Sequence, residues 1–234
     1  MWEQNKISVV FPVFNEEEGV KDCIEEYFSF GIVDEIIAVD NNSTDNSANE
    51  IKKTNAKYVK EIQQGYGAAL QRGLKEATGD IIFMSESDNT FVAKDIYKFL
   101  MYADEFDVVF GTRTSKSLIW GRAKMYWYLR YGNVIVAKLL EYLFNGPCFT
   151  DVGCTLKMVK KRSLNIVLPQ LKVKGSHFIP EFMIVVLKNK IKCVEIPVNY
   201  KERVGYSKIT SDFWKAFKLG LIIIGFCFKE RFKR

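Results

Sequence analysis

Gly79-Asp80-Ile81-Ile82-Phe83-Met84-Ser85-Glu86-Ser87-Asp88-Asn89-Thr90-Phe91 is the stretch on which the fold turns. Five mostly apolar residues, Ile81 to Ser85, read as a buried strand, and they deliver two carboxylates, Glu86 and Asp88, to its C-terminal end. In open α/β sheets that end is where ligands bind. Hard carboxylate oxygens one residue apart suit Mg²⁺ or Mn²⁺, and such a metal would carry a diphosphate. The plain alternative is a solvated acidic turn, since Asp and Asn are common turn residues.

Outward from this strand, short runs rich in β-branched and aromatic residues alternate with helical periodicity, the pattern of a parallel sheet covered on both faces. Strands are predicted at about 7–13, 34–40, 57–61, 80–85 and 107–110, and helices at roughly 17–29, 44–54, 66–77 and 93–103. Beyond residue 115 the pattern changes to a long amphipathic stretch from Met125 to Phe144 and a turn at Asn145-Gly146-Pro147. A short strand near Thr155–Val159, a helix near Phe178–Lys188 and a strand over Lys192–Val198 follow, and this half reads as the acceptor side. No internal repeat or Pro/Gly linker divides the chain, so one domain with a short C-terminal appendix is expected.

Of 234 residues, 48% are hydrophobic and 26% charged, enough for one substantial core. The net charge of +6 is concentrated after residue 110, in Arg113, Lys116, Arg122, Lys124, Arg130, Lys157, Lys160, Lys161 and Arg162, which implies an anionic substrate or a membrane surface. Nucleic acid is disfavoured, because no zinc-ligand spacing, RNA-binding aromatic signature or Arg-rich arm accompanies the charge. Five cysteines, odd in number and without a C-x-x-C, argue for reduced thiols rather than a secreted disulfide framework. The first residues carry no apolar signal core, which predicts a cytosolic chain. His177 is the only histidine, so Ser-His-Asp and two-His zinc schemes give way to chemistry run on carboxylates, Arg and Lys.

Two further strand ends place polar groups before helices: Val13-Phe14-Asn15-Glu16-Glu17 and Val39-Asp40-Asn41-Asn42-Ser43-Thr44-Asp45. Ser43 or Thr44 can cap the helix that follows, and Asp40 can accept hydrogen bonds from a base or ribose. Gly65-Tyr66-Gly67 opens the next helix without the third glycine of a dinucleotide fingerprint, so a tight loop that lets backbone approach a ligand fits better than a nicotinamide site. Arg203, Ser207 and Lys208 suit phosphate oxygens. The tail holds about ten consecutive apolar residues, Leu219 to Phe228, against the about twenty that span a bilayer. Flanked by Lys215, Lys218, Lys229, Arg231, Lys233 and Arg234, it can lie in an anionic interface, open a longer span, or be a buried core helix.

Taken in order, Phe11-Pro12-Val13-Phe14-Asn15-Glu16, Asp40-Asn41-Asn42-Ser43-Thr44-Asp45, Gly65-Tyr66-Gly67-Ala68-Ala69, Glu86-Ser87-Asp88-Asn89-Thr90-Phe91, Gly111-Thr112-Arg113 and Val204-Gly205-Tyr206-Ser207-Lys208 resemble the family-two glycosyltransferases. Within them the likeness is to the dolichyl-phosphate or polyprenyl-phosphate hexose synthases. The resemblance implies an α/β GT-A fold: a Rossmann-like, mostly parallel sheet flanked by helices, with a catalytic domain over 1–208 and a basic, apolar, interfacial helix over 209–234. It implies a nucleotide-sugar donor held by Pro12, Phe14, Glu16, Asp40 and Asp45, with Gly67 and Ser207 also at the donor, and Mg²⁺ or Mn²⁺ at Glu86 and Asp88. Glu86 stands where the family's D-x-D pattern has Asp, so it reaches the metal directly or through water. Phe149-Thr150-Asp151-Val152-Gly153 resembles the acceptor loop, and Pro180-Glu181-Phe182 a helix bearing an acidic residue. Arg113 and Arg130 are then assigned to a lipid-phosphate acceptor, and Arg203 with Lys208 to the leaving diphosphate, by single displacement with inversion. The chain is expected peripherally on the cytoplasmic face of a membrane, with room for a membrane-protein partner. Two rivals stand beside it: transfer to a glycan or small-molecule hydroxyl, with Asp151 or Glu181 as base, and nucleotide-sugar binding without catalysis.

Overall fold

The computed structural model describes residues 2–121, 123, 126–204 and 213–233. Its centre is a seven-stranded sheet, β1 (Ile7–Val13), β2 (Glu35–Asp40), β3 (Lys57–Lys60), β4 (Ile81–Met84), β5 (Val108–Thr112), β6 (Lys157–Lys160) and β7 (Cys193–Pro197), in the order β3-β2-β1-β4-β6-β5-β7. All of β1 is buried, as a central strand covered on both faces requires. Its side chains alternate between two cores, Val10 on one face and Val9, Phe11 and Val13 on the other.

Helices α1 (Val20–Ser29), α2 (Ser47–Lys52) and α4 (Ile96–Leu100) lie in sequence with the first strands, and α1 buries Val20, Cys23, Ile24 and Tyr27 at helical spacing. Helix α3 (Tyr66–Glu76) crosses β1 and β2 so closely that a Cβ on Gly73 would stand 2.3 Å from Val10 Cγ1. Helices α5 (Trp127–Phe144), α6 (Lys161–Val167), α7 (Phe178–Lys188) and α8 (Phe213–Phe232) complete the molecule, and Ile223 and Cys227 of α8 join the larger core.

The five predicted strands are all present, as are α5, α7, β6 and β7. The sheet is mostly parallel, as expected, with β6 alone among the described strands running antiparallel, between β4 and β5. Helix α2 starts at Ser47 and is capped by neither Ser43 nor Thr44, whose hydroxyls instead meet the backbone and side chain of Asn15. The short α6, with its basic first turn, carries no apolar period that would announce it. All five cysteines are free thiols. Ser207 and Lys208, the boundary between 208 and 209, and Arg122 and Lys124 lie outside the described residues.

The topology decides where chemistry can occur. From β1 the chain builds outward through β2 to β3, then returns to place β4 on the other side of β1. The loops after β1 and β4 therefore diverge, leaving a crevice at the sheet's C-terminal edge. Because β6 is reversed, the loop that precedes it, Phe149 to Leu156, reaches the same edge as the ends of β5 and β7.

Candidate active site

At the ends of β1 and β2 two loops are laced together. Asn15, at φ 57°, donates its N–H to Ser43 Oγ at 3.1 Å and accepts the Thr44 N–H on Oδ1 at 2.9 Å. The Glu16 N–H reaches Ser47 Oγ at 2.8 Å, and Asp45 accepts from Glu17 N at 3.2 Å and from Ser47 Oγ at 2.6 Å. Burial would raise the Asp45 carboxyl, but these donors pull it below its ordinary range. Asp40 is equally committed, accepting from Ser43 N at 2.9 Å and Tyr58 OH at 3.1 Å. Both hold the loops that follow β1 and β2, and neither is among the residues lining the cleft.

Its neighbour Asn41 does line it. Asn41 donates to the carbonyls of Glu61 and Gln63 and accepts the Gly65 N–H at 2.7 Å, fixing the entry to α3. Gly65 is required here: at φ 149° an added Cβ would stand 2.3 Å from Lys174 O. Gly67 also packs on backbone, with Val173 O 2.4 Å from its would-be Cβ. The close approach anticipated at this loop is to the 173–174 segment.

Glu86 and Asp88 leave β4 into the cleft with Pro12, Phe14 and Glu16. The Ser87 hydroxyl points the other way, donating to Pro12 O at 3.2 Å. Burial and the charge of Asp88 push Glu86 up to about 7 against the pull of Arg203, and Tyr66 OH donates to it at 3.1 Å. One oxygen of Asp88 accepts from Thr90 N and Oγ1, the other meets Arg203 Nη1 at 2.8 Å, and Arg203 Nη2 pairs with Glu16. A guanidinium thus sits between two carboxylates assigned to metal and nucleotide.

That arrangement tests the fit of a divalent ion. Among the described residues no three His, Cys, Asp or Glu side chains cluster as ligands. Two carboxylates with the remaining positions left to phosphate oxygens and water are the donor set Mg²⁺ ordinarily uses. A cation already neutralises Asp88, so the site is built for positive charge.

Arg113, at the end of β5, forms a two-toothed pair with Asp151, Nε to Oδ2 at 2.9 Å and Nη2 to Oδ1 at 3.0 Å, and lies against the Tyr200 ring at 5.3 Å. Burial opposes its charge, but Asp151 holds the guanidinium protonated well above its usual range. The same pair draws the buried Asp151 down. Arg113 lines the cleft; Arg130 sits in the first turn of α5, between wall residues Leu129 and Tyr131. The other predicted basic residues disperse: Lys160 and Arg162 pair with Asp107 at the opposite end of β5, and Lys157 is buried beside Phe110. His177 packs on Phe226 and is not among the residues lining the cleft, its pKa lowered by burial.

The cleft encloses about 880 Å³ and does not end at these charged groups. It continues between α5 and α8, past Tyr128, Gly132, Val136, Phe217, Gly220 and Ile224. Among the described residues, no atom outside their own helices stands within 4 Å of a Cβ added at Gly132 or Gly220, which leaves room in the passage. Asn41, Tyr66, Tyr200 and this apolar passage escape sequence reasoning; only Asn41 left a trace, as the polar residue following Asp40 at a strand end.

Residues 8–164 match the model of glycosyl transferase family 2. The chain belongs to that family. This glycosyltransferase is 25% identical over 231 residues to the dolichyl-phosphate hexose transferase of Haloferax volcanii, a match covering 97% of this chain and 96% of that one. Its fold is that of GT-A glycosyltransferase structures. The glucosyl-3-phosphoglycerate synthase of Mycobacterium tuberculosis, in complex with Mn²⁺, UDP and glucosyl-3-phosphoglycerate, superposes with a TM-score of 0.70 at 18% identity, covering 97% of this chain and 80% of that one. The same enzyme with Mg²⁺ and UDP gives 0.70 at 18% identity, covering 97% and 79%.

Proposed function

We propose that this glycosyltransferase moves a hexose from a nucleoside-diphosphate sugar to a polyprenyl or dolichyl phosphate at a membrane surface. The observation that carries the reading is the continuity of the cleft, carboxylates and arginines at one end and an open apolar passage between α5 and α8 at the other. An acceptor with a phosphate head and an isoprenoid tail matches both ends. The relative from Haloferax volcanii, similar over nearly its whole length, supports the same class.

In this reading an oxygen of the acceptor phosphate forms a bond to the anomeric carbon as the bond from that carbon to the β-phosphate oxygen breaks. The sugar is inverted and the nucleoside diphosphate leaves. Because the second pKa of a phosphate monoester is about 6, the nucleophile is ionised at neutral pH and needs no base. The two carboxylates weighed as bases for a hydroxyl acceptor are engaged elsewhere: Asp151 by Arg113, and Glu181 by the N–H groups of Lys172 and Val173, each at 2.9 Å. That disfavours a hydroxyl acceptor that relies on either of them as base.

The protein's task is then orientation and charge. Pro12, Phe14 and Glu16 flank the donor, and Asp40 and Asp45 hold the loops that form its seat. Glu86 and Asp88 would hold Mg²⁺ or Mn²⁺. When bound, the ion would neutralise charge on the departing diphosphate. Arg203 would pass from the carboxylates to the diphosphate, where Lys208 would join it, and Arg113 with Arg130 would receive the acceptor phosphate. Trp214 and Phe217, 67% and 50% exposed on α8, and Trp127, 71% exposed on α5, would enter the interface beside Lys215 and Lys218. Among the described residues no helix is long and apolar enough to cross a membrane.

Filling the passage tests the reading. Gly220→Leu should lower transfer to polyprenyl phosphate at least tenfold while calorimetric binding of the nucleoside diphosphate is unchanged. Unchanged transfer would remove the passage from the acceptor path.

A further inference from the structure

Behind Arg113 lies a second, half-buried carboxylate that is not among the residues lining the cleft. Glu195, on β7, accepts the Thr150 N–H at 2.8 Å and hydroxyl at 2.6 Å on Oε2, and the Asp151 N–H at 3.1 Å on Oε1. These bonds fix the backbone from which the Asp151 carboxylate projects. Asp151 in turn accepts from Arg113 N, Nε and Nη2 and from Gly153 N. This two-layer relay ends on a guanidinium at the cleft wall, which Asp151 holds by Nε and Nη2. The loop is pinned from the β5 side too, where Thr112 and Thr150 share a hydroxyl contact at 2.8 Å.

The register of the sheet explains why Glu195 stands there. Phe110 pairs with Lys157 on β6 and with Glu195 on β7, so all three side chains share one face. Lys157 Nζ lies 4.6 Å from the Phe110 ring centroid, fully buried and without a hydrogen-bond partner among the described residues. The row thus carries a cation, an aromatic ring and an anion directly beneath the Phe149–Asp151 loop. Phe149 also packs edge-on against Phe110 at 5.4 Å. Burying the lysine outright and half-burying the glutamate is costly, which a loop held only for packing would not require.

We infer that Glu195 is a positioning residue that acts through Thr150 and Asp151 to aim the Arg113 guanidinium into the cleft. Gly153 completes the device: a Cβ there would stand 3.0 Å from Arg113 Nη2 and 2.9 Å from Asn133 Oδ1, so its bare backbone leaves the guanidinium room. The inference rests on the reading that Arg113 receives the acceptor phosphate, but its geometry can be tested apart from that reading.

The first readout is solvent exchange of the Arg113 Nε–H, followed by NMR on arginine-labelled protein and assigned by its loss in Arg113→Lys. Glu195→Gln keeps the size of the side chain but turns an N–H₂ toward two donors, and should speed that exchange about tenfold, the equivalent of one hydrogen bond to a charged group. Thr150→Val, a milder change that deletes one bond to Glu195, should act in the same direction by a smaller factor. Unchanged exchange in both variants would overturn the inference. The second readout is steady-state kinetics with polyprenyl phosphate. Glu195→Gln should raise the acceptor KM with little change in kcat or in nucleoside-diphosphate binding, and should add nothing to Arg113→Lys in the double variant. If exchange quickens while Arg113→Lys leaves the acceptor KM alone, the phosphate role of Arg113 falls and the positioning role of Glu195 stands.

Discussion

Arg203 is the side chain whose surroundings say most about the resting site. It bridges Asp88 and Glu16, two carboxylates from different strand ends. Arg203→Ala should weaken nucleoside-diphosphate binding by about tenfold or more, as loss of a charge-assisted contact does; calorimetry reads it directly. Removing both charges at Arg113 and Arg130 should abolish transfer to a lipid phosphate while leaving donor binding in place, and retained transfer would sink their assignment. Glu195 gives a pH-dependent prediction. Burial raises its carboxyl from 4.5 to about 6 in the folded protein, so between those values the folded state binds the proton more tightly than the unfolded chain. The stabilisation is full below pH 4.5 and is lost as pH rises through 6, a change of about 2 kcal/mol. Urea unfolding at about pH 5 and about pH 7.5 should show it as a difference between the wild type and Glu195→Gln; parallel behaviour of the two would contradict the burial account.

The elements were largely legible in the sequence, because strands such as β1 are short apolar runs buried on both faces between polar turns, and helices such as α1 and α3 show the 3.6 period of one buried face. Strands β1 to β5 and helix α7 fall where the patterns place them. The reversed β6 was not legible in direction, since four residues look alike read either way. At the site, Glu86 and Asp88 were legible because an apolar strand that ends in two carboxylates has to leave the core at that point, and a sheet edge is where it leaves. For Asp40 and Asp45 the sequence carries the same signature whether an Asp laces two loops together or meets a ribose, and the hydrogen-bond partners show the lacing. The basic cluster dissolved because residues close in sequence fell at opposite ends of β5 and β6. The glycines at the start of α3 are held by packing on the 173–174 backbone, so Gly65→Ala should cost about 1–3 kcal/mol in denaturant unfolding. Unaltered stability would mean that the 173–174 segment yields freely.

At the scale of the whole molecule, the sheet edge carries the charges and the α5–α8 pair carries the grease. Tyr142, Trp214 and Phe232 are 85%, 67% and 75% exposed, and the chain carries a net charge of +6. Binding to vesicles containing anionic lipid should therefore weaken as salt rises, and Trp214→Ser with Phe217→Ser should weaken it further without unfolding the protein, as co-sedimentation would show. Salt-independent or absent binding would confine the apolar pair to a protein partner. The most direct measurement incubates the purified protein with polyprenyl phosphate, Mn²⁺ or Mg²⁺ and, in turn, UDP-glucose, UDP-N-acetylglucosamine and GDP-mannose, and seeks glycosylated lipid by mass spectrometry. The account predicts a hexosyl phosphate lipid from one donor, abolished by a chelator and by Asp88→Asn; donor binding without lipid product from any of the three would contradict it.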